Sequence, residues 1–432
     1  MATYESYKDS GVKWLGQIPS HWEVKKLRAF FSEVCESNSA LKVHNQLQFK
    51  YGTIVPKPNT GVDDAVLKTV SKYTVVNRGD IIINGLNLNY DFISFRVGKV
   101  NEQGVITSAY IAMRPNKGLS SKFYEYLLKA MDAKKVFHGF GTGIRATLSF
   151  KELKHKFLPL VPLNEQEAIV AYLDKVTGDI DRAIEAQQKM IDALNERKQI
   201  IITRAVTRGL NPDAPLRDSG IDWLGQIPEH WEIKKLKTLS DIKGRIGFRG
   251  YTNSDLVEQG EGAITLSPSN IVNGKMSYNK CSYLSWHKYF ESPEIMVANG
   301  HILFVKTGSY GKTAFVTDLP MEATINPQFS LIKPKKVNPY FLNYAISSQY
   351  FKLQVERGVI GSTIPTISQS AIGNMLVLTP PLSEQISIIE YLNAHFEDLD
   401  AIISNCERMI FLLQERKQII INEVVTGKTK VI

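Results

Sequence analysis

Residues 9–27 read DSGVKWLGQIPSHWEVKKL and residues 218–236 read DSGIDWLGQIPEHWEIKKL, so one stretch recurs at a displacement of 209 positions. A second pair is PLNEQ from Pro162 and PLSEQ from Pro381, each leading into a long segment that contains ERKQII, from Glu196 and from Glu415, both displaced by 219. Two constant offsets mark a tandem duplication, and a repeat decides the architecture before any single element is read. Each copy runs head, divergent segment, long helix. The ten extra residues of the second copy fall in its divergent segment.

Working outward, the long helices come next. Ile169, Leu173, Val176, Ile180, Ile184, Ile191, Leu194 and Ile201 recur at three- and four-residue steps, and Ile388, Leu392, Phe396, Leu399, Ile403, Ile410, Leu413 and Ile420 do the same. That spacing is the stripe of a helix packed on another helix. Pro162 and Pro381 stand just ahead, with Asn164 and Ser383 as expected caps, and Gly209 and Gly427 follow the ends. About 40 residues at 1.5 Å each make a rod of roughly 60 Å. The two copies are therefore expected to pair as an antiparallel coiled coil on a pseudo-two-fold frame, packing into a single globule being the plainer alternative.

The divergent segments predict mixed α/β (α+β) domains. Val75-Val76, Ile81-Ile82-Ile83 and Ile302-Leu303-Phe304-Val305 are short β-branched runs bounded by Gly and Asn. One helix is expected to close each domain, near residues 120–137 and 339–356, with Asn338-Pro339 as cap and first turn and with Gly139 and Gly358 just past the ends. The boundaries follow: residues 1–157 with head 9–28, helix 158–208, residues 209–376 with head 218–237, and helix 377–432.

At 432 residues the chain exceeds one ordinary core. With 43% hydrophobic and 22% charged residues it has the composition of a folded, soluble protein. No run approaches the roughly 18 apolar residues of a membrane span, and the start, MATYESY, lacks the basic-then-apolar pattern of a secretory signal. Cys35, Cys281 and Cys406 are too scattered for a metal site or a disulfide framework, which suits a reducing cytoplasm. The net charge of +9 is unevenly placed. Residues 1–157 hold 23 Lys+Arg against 13 Asp+Glu and residues 209–376 hold 17 against 14, whereas 158–208 hold 7 against 8 and 377–432 hold 5 against 8. Two basic domains and two near-neutral or acidic helices suit a polyanion and a protein partner respectively.

Catalytic patterns find no footing. Phe137-His138-Gly139-Phe140-Gly141 matches the F-x-G-x-G loop of S-adenosylmethionine-dependent methyltransferases, and Asn326-Pro327-Gln328-Phe329 and Asn338-Pro339-Tyr340-Phe341 resemble their N-P-P-[YF] motif. A nucleotide loop should leave a strand and enter a helix, but this one follows a helix. His21 and His230 stand at matching places in the heads and read as packing. Paired carboxylates, a Ser/His constellation, a P-loop and helicase signatures are absent from the sequence.

Binding chemistry sits on the loops. Val305-Lys306-Thr307-Gly308-Ser309-Tyr310-Gly311-Lys312-Thr313 reads as a turn between strands carrying cations and hydroxyls, suited to phosphates and base edges. Its partner in the first copy is Asn84 to Tyr90, where Asn84, Asn87 and Asn89 are candidates for bidentate bonds to adenine. Arg96, Arg145, Arg245 and Arg249 complete the DNA-binding candidates, with Lys306, Ser309, Tyr310 and Lys312 the main ones of the second copy.

With WLGQIPxHWExKKL, GSYGKTAFV followed by TINPQF, and the duplicated PLxEQ helices in view, the chain resembles the specificity subunit of type I restriction-modification systems over essentially its whole length. The resemblance implies two target-recognition domains, each reading one half of a split, asymmetric site in double-stranded DNA. It implies that the helices set the spacing and dock two methyltransferase subunits, that restriction subunits join for cleavage, and that S-adenosylmethionine is held by the methyltransferase, this chain carrying no cofactor and no catalytic role. The first domain lacks a GSYGKTA loop. Two readings from other classes stand beside this one: a self-contained DNA methyltransferase, and a scaffold whose basic domains bind DNA without regard to sequence.

Overall fold

The computed structural model describes residues 3–50, 52–58, 64–93, 95–141, 146–361 and 365–431. It divides into two compact units, Met1–Gln188 with Glu407–Ile432, and Lys189–Cys406. Neither unit is one sequence copy alone, because each takes a part of both long helices. Among the described residues no helix is long and apolar enough to cross a membrane.

In the first unit four antiparallel strands lie in the order Phe31–Glu33, Ile111–Pro115, Ile81–Ile83, Val97–Lys99. The strand Ile81–Ile83 is buried on both faces. Ile81 and Ile83 join the core under the helix Ser121–Ala133, with Phe123, Leu127 and Met131, while Ile82 joins Val34, Leu47, Ile54 and Val76 on the other side. Successive residues of a strand point to opposite faces, so a run of three isoleucines serves two cores.

The second unit repeats this sheet as Ser240–Lys243, Phe329–Pro334, Ile302–Val305, Thr313–Phe315, and adds Lys275–Met276 and Ile271–Val272 at its edge. Ile302 and Phe304 face one core and Leu303 and Val305 the other. A separate five-stranded sheet, Leu256–Val257, Ser282–Ser285, Gly262–Leu266, Ala323–Ile325, Met296–Val297, covers the second face. The mixed strand-and-helix class expected from the sequence is the one observed, and the longer second copy uses its length here.

Local expectations need correction at three places. The helix expected over 339–356 is two, Pro339–Ser347 and Gln349–Gly358, broken at the extended, buried Ser348, whose hydroxyl donates to the Ala345 carbonyl at 2.5 Å. Gly139 and Gly358 do not adopt the left-handed conformation of a helix stop; Lys135, at φ 57°, does so after the first helix. Asn164 and Ser383 lie inside their helices, which begin at Leu163 and Leu382, and the carbonyls of Pro162 and Pro381 accept the first-turn amides of Gln166 and Gln385 at 2.9 and 3.0 Å.

The long helices run Leu163–Arg208 and Leu382–Val425, 46 and 44 residues. In each unit they pass each other antiparallel. In the first, Asp181 meets Lys417 at 2.6 Å while the end of the second helix lies at the head: a Cβ on Gly427 would touch Trp22, which binds Glu165 at the start of the first helix. In the second unit Lys198 meets Asp400 at 2.6 Å while Gly209 lies against Trp231 and Glu384. Both glycines have positive φ, 71° and 74°, and lie against a tryptophan, so a side chain at either position meets strain and a clash together.

The repeated words of the sequence are now readable as contacts. Glu165 accepts the Trp22 indole N–H at 3.0 Å and binds His21 Nε2 at 2.5 Å; Glu384 does the same with Trp231 at 3.0 Å and His230 at 2.8 Å. Gln166 accepts the amide of Ser120, the N-cap of helix 121–133, and donates to the Val161 carbonyl; Gln385 accepts the amide of Asn338, the N-cap of helix 339–347, and donates to the Pro380 carbonyl. PLxEQ is thus a three-way clamp joining head, domain and long helix. His21 and His230, expected as packing, are half-exposed partners of this carboxylate.

Candidate nucleic-acid interface

The repeated sheets place two hairpin loops in equivalent positions. In the first unit the hairpin Ile81–Ile83/Val97–Lys99 is connected through residues 84–96, and in the second Ile302–Val305/Thr313–Phe315 through 306–312. Each loop is braced by a segment that follows its domain's closing helix. Leu148 donates its amide to the Gly85 carbonyl at 2.9 Å, and its repeat counterpart Ile367 donates to the Lys306 carbonyl at 2.9 Å. A Cβ on Gly85 would lie 2.3 Å from the Leu148 carbonyl oxygen, so the approach admits only glycine. The pairing of these two loops read from the sequence is thus matched by the sheet topology.

In the second unit the 306–312 loop is a tight cradle. Val305 closes it with two backbone bonds, its N–H donating to Lys312 O at 2.8 Å and its carbonyl accepting the Gly311 N–H at 2.9 Å, with Gly308 and Gly311 at φ 77° and 79°. Ser309 and Lys312 are exposed, and Lys306 and Tyr310 are partly buried. Burial pushes the Lys306 ammonium below its ordinary range. Arg245 is almost wholly buried. Its guanidinium donates to Ile325 O at 3.1 Å, Thr324 Oγ1 at 3.1 Å and Arg249 O at 3.4 Å and stacks over Tyr251, while burial lowers its pKa. Arg249 reaches Glu294 at 3.5 Å.

In the first unit Asn87, Asn89 and Tyr90 are exposed, Asn87 at φ 54°, a conformation asparagine tolerates. Asn84 is partly buried and turned inward, its Oδ1 accepting Leu86 N–H at 3.1 Å. Arg96 has no exposed surface. It donates to the carbonyls of Asn84 at 3.1 Å, Leu86 at 2.8 Å and Asp91 at 2.7 Å, and its amide donates to Asp132 at 2.7 Å. Arg96 and Arg245 hold loops from within rather than presenting cations at the surface. Arg145 lies outside the described residues. Sequence reasoning missed Phe92, Ile93 and Phe95, all exposed; the available signal was a 13-residue apolar-rich loop where the other copy has seven.

The methyltransferase-like words have structural roles. Phe137 to Gly139 lie in a short 3-10 turn after a helix, with Phe137 buried, and Asn338-Pro339 open a helix. The arrangement offers amides, hydroxyls and cations on two loops, each set on a rigid sheet.

A family model for the type I restriction modification DNA specificity domain matches residues 19–190 and 228–407. The type I restriction enzyme MjaVIII specificity subunit of Methanocaldococcus jannaschii is 25% identical over 437 residues, 98% of this chain and 97% of that protein. A putative type I restriction enzyme MjaX specificity subunit of the same organism is 24% identical over 441 residues, 98% of each chain. A solved chain from work on complex assembly and conformational transition of the type I R-M system superposes with a TM-score of 0.64 at 15% identity, covering 94% of this chain and 98% of that one, and so shares its fold.

Proposed function

From the premise that the chain belongs to the type I restriction-modification DNA specificity family, we propose that each of its two units reads one half of a split, asymmetric site in double-stranded DNA. The observation that carries this reading is the pair of equivalent loops, 84–96 and 306–312, with unlike side chains on like sheets. A common frame bearing different surface chemistry twice is what two different half-sites require. Asn87, Asn89 and Tyr90 in the first unit, and Lys306, Ser309, Tyr310 and Lys312 in the second, are the contact set, amides, hydroxyls and the half-buried Lys306 for base edges and the exposed Lys312 ammonium for phosphate. Arg96 positions the 84–96 loop, whereas Arg245 ties the Arg249 turn to the strand Ala323–Ile325 and Arg249 pairs with Glu294.

The long helices set the distance between half-sites and dock two methyltransferase subunits, which supply S-adenosylmethionine and perform the methylation; restriction subunits complete the cleaving assembly. Ile402, Met409, Phe411 and Ile419 are exposed along the second helix, and exposed apolar side chains on a helix poor in cations favour protein over phosphate. The chain itself contributes recognition and no bond-breaking step, and it acts in the cytoplasm with its DNA.

Co-expression with the cognate methyltransferase, followed by single-molecule mapping of methylated adenine across the host genome, tests this. A bipartite motif with a constant gap, altered in one half only when the 306–312 loop is exchanged, is the expected result. A stable complex that methylates without sequence preference would overturn it in favour of the scaffold reading. Saturable binding of the methyl donor by the chain alone would favour a self-contained methyltransferase.

A further inference from the structure

Within six positions of the first unit's loop four large side chains stand in solvent: Tyr90 is 74% exposed, Phe92 55%, Ile93 91% and Phe95 56%. Single exposed apolar residues are ordinary, but a cluster at a loop tip marks a contact surface. We propose that Phe92, Ile93 and Phe95 form a wedge that enters duplex DNA between base pairs, unstacking one step of the half-site read by this unit. The inference rests on the reading of that unit as a half-site reader.

The occupant follows from position and charge. The equivalent hairpin of the second unit carries Lys306, Ser309 and Lys312, the chemistry of a nucleic-acid backbone and base edges, so the place on the sheet is the same and only the mode of contact differs. The segment around the wedge, residues 1–157, holds 23 cationic against 13 acidic residues, which complements a polyanion. Beside the apolar tip stand the exposed amides of Asn87 and Asn89, suited to base edges.

A wedge must hold its shape while stacked bases yield, and this loop is fixed from beneath. Arg96 ties three of its carbonyls, the amide of Ile93 is bound by the Asp91 carboxylate at 3.1 Å, and Leu88 is buried in the core. The Phe92 ring stacks on His138 with centroids 4.6 Å apart at 24°, and His138 Nε2 binds the Asp91 carbonyl at 3.0 Å. Apolar side chains inserted at base steps by rigid elements kink DNA and select steps that unstack easily. A wedge therefore adds selectivity at a step where no hydrogen bond reads the base.

The test uses the full-length chain purified with its cognate methyltransferase, and duplexes carrying the sequence that complex methylates, with 2-aminopurine scanned through both half-sites. The wild type is expected to raise fluorescence at one step beyond the methylated adenine, and Ile93→Ala and Phe92→Ala/Ile93→Ala to abolish that rise and weaken binding about 10- to 100-fold. An abasic position opposite that step restores binding by the variants, and the melting temperature of Ile93→Ala stays at the wild-type value because that side chain is 91% exposed. Specific binding by the wild type with no additional bright step overturns the wedge and leaves half-site reading standing. Binding without sequence preference overturns both. Loss of the methyltransferase from Ile93→Ala in gel filtration without DNA makes the tip a protein contact and overturns the wedge.

Discussion

The Lys198 ammonium lies 2.6 Å from the Asp400 carboxylate, and the two residues that correspond to them in the repeat, Lys417 and Asp181, form their own pair at 2.6 Å. A displacement of 219 takes Asp181 to Asp400 and Lys198 to Lys417. Each unit therefore contains the same ion pair with its donor and acceptor contributed by opposite copies. The surroundings differ, because Lys198 also lies 4.7 Å from the centroid of the Phe396 ring while the position matching Phe396 is Thr177. Lys198→Ala is expected to cost about 1–2 kcal/mol and Lys417→Ala no more than about 0.5 kcal/mol. Urea unfolding of the full chain at low and high salt checks this: the Lys417 effect should vanish in high salt and part of the Lys198 effect should persist.

The clamp at the helix starts is unequal in the same way. Glu165 accepts from the Trp22 indole, binds His21 and receives the Tyr4 hydroxyl at 3.1 Å, whereas among the described residues Glu384 has two side-chain partners, Trp231 and His230. Burial and the neighbouring carboxylate push the Tyr4 phenol upward, so it remains a donor. Replacing either carboxylate with a smaller group strands a buried indole N–H, at about 1–3 kcal/mol. Glu165→Ala is expected to destabilise by about 1 kcal/mol more than Glu384→Ala, and Tyr4→Phe should erase that difference. Equal losses for both carboxylates in the Tyr4 background would show that the third bond contributes nothing.

How far the sequence reaches depends on whether a residue's role is local or depends on its neighbours. The three-four spacing of Ile169, Leu173, Ile180 and Ile388, Leu392, Phe396 identified both long helices, because helical periodicity is written along the chain. The heads and PLxEQ were visible as repeats, yet Glu165 and Gln166 could not be read as a clamp, since Trp22 and Ser120 reach them only through the fold. Arg96 and Arg245 illustrate the same limit. Each is a cation on a divergent loop segment, indistinguishable in sequence from Lys312, and only burial separates a guanidinium that braces carbonyls from an ammonium that meets solvent. The wedge escaped for the opposite reason, since Phe92, Ile93 and Phe95 look like core until the sheet on either side is seen to have its own.

His301 should make the second unit acid-sensitive. Burial, with Lys333 nearby, pulls its pKa down to about 4, and its Nδ1 accepts the Ala298 amide at 3.0 Å, which needs the neutral ring. A group whose folded pKa lies below its unfolded value of about 6.5 binds fewer protons in the folded state, so stability falls as the pH drops from about 6.5 toward 4 and is fully retained above that window. Allowing for its partial exposure, the loss is about 1–2 kcal/mol. His301→Gln, measured by urea unfolding at pH 7.0 and pH 4.5 (both on the order of the limits of that window), should be less stable than wild type at the higher pH and show a shallower fall toward the lower one. Parallel curves for the two proteins would remove His301 from the account.

The two lysines of the second loop should differ in what they contribute to DNA affinity. Lys312 is exposed and Lys306 half-buried with a lowered pKa. An exposed ammonium on a phosphate contributes mainly through counterion release, so Lys312→Ala should reduce the slope of log affinity against log salt by about 0.9 and weaken all duplexes alike. Lys306 sits closer to the sheet, its ammonium 3.4 Å from where a Cβ on Gly244 would lie, so its reach is confined to whatever enters the cradle. Lys306→Ala is expected to lower affinity for the methylated sequence by about 1–3 kcal/mol and for unrelated duplex by much less, the mark of a base contact and not of a phosphate contact. Filter binding of both variants over a salt series, with specific and competitor duplexes, separates the roles. A slope unchanged in the double variant Lys306→Ala/Lys312→Ala would place the DNA elsewhere on this unit.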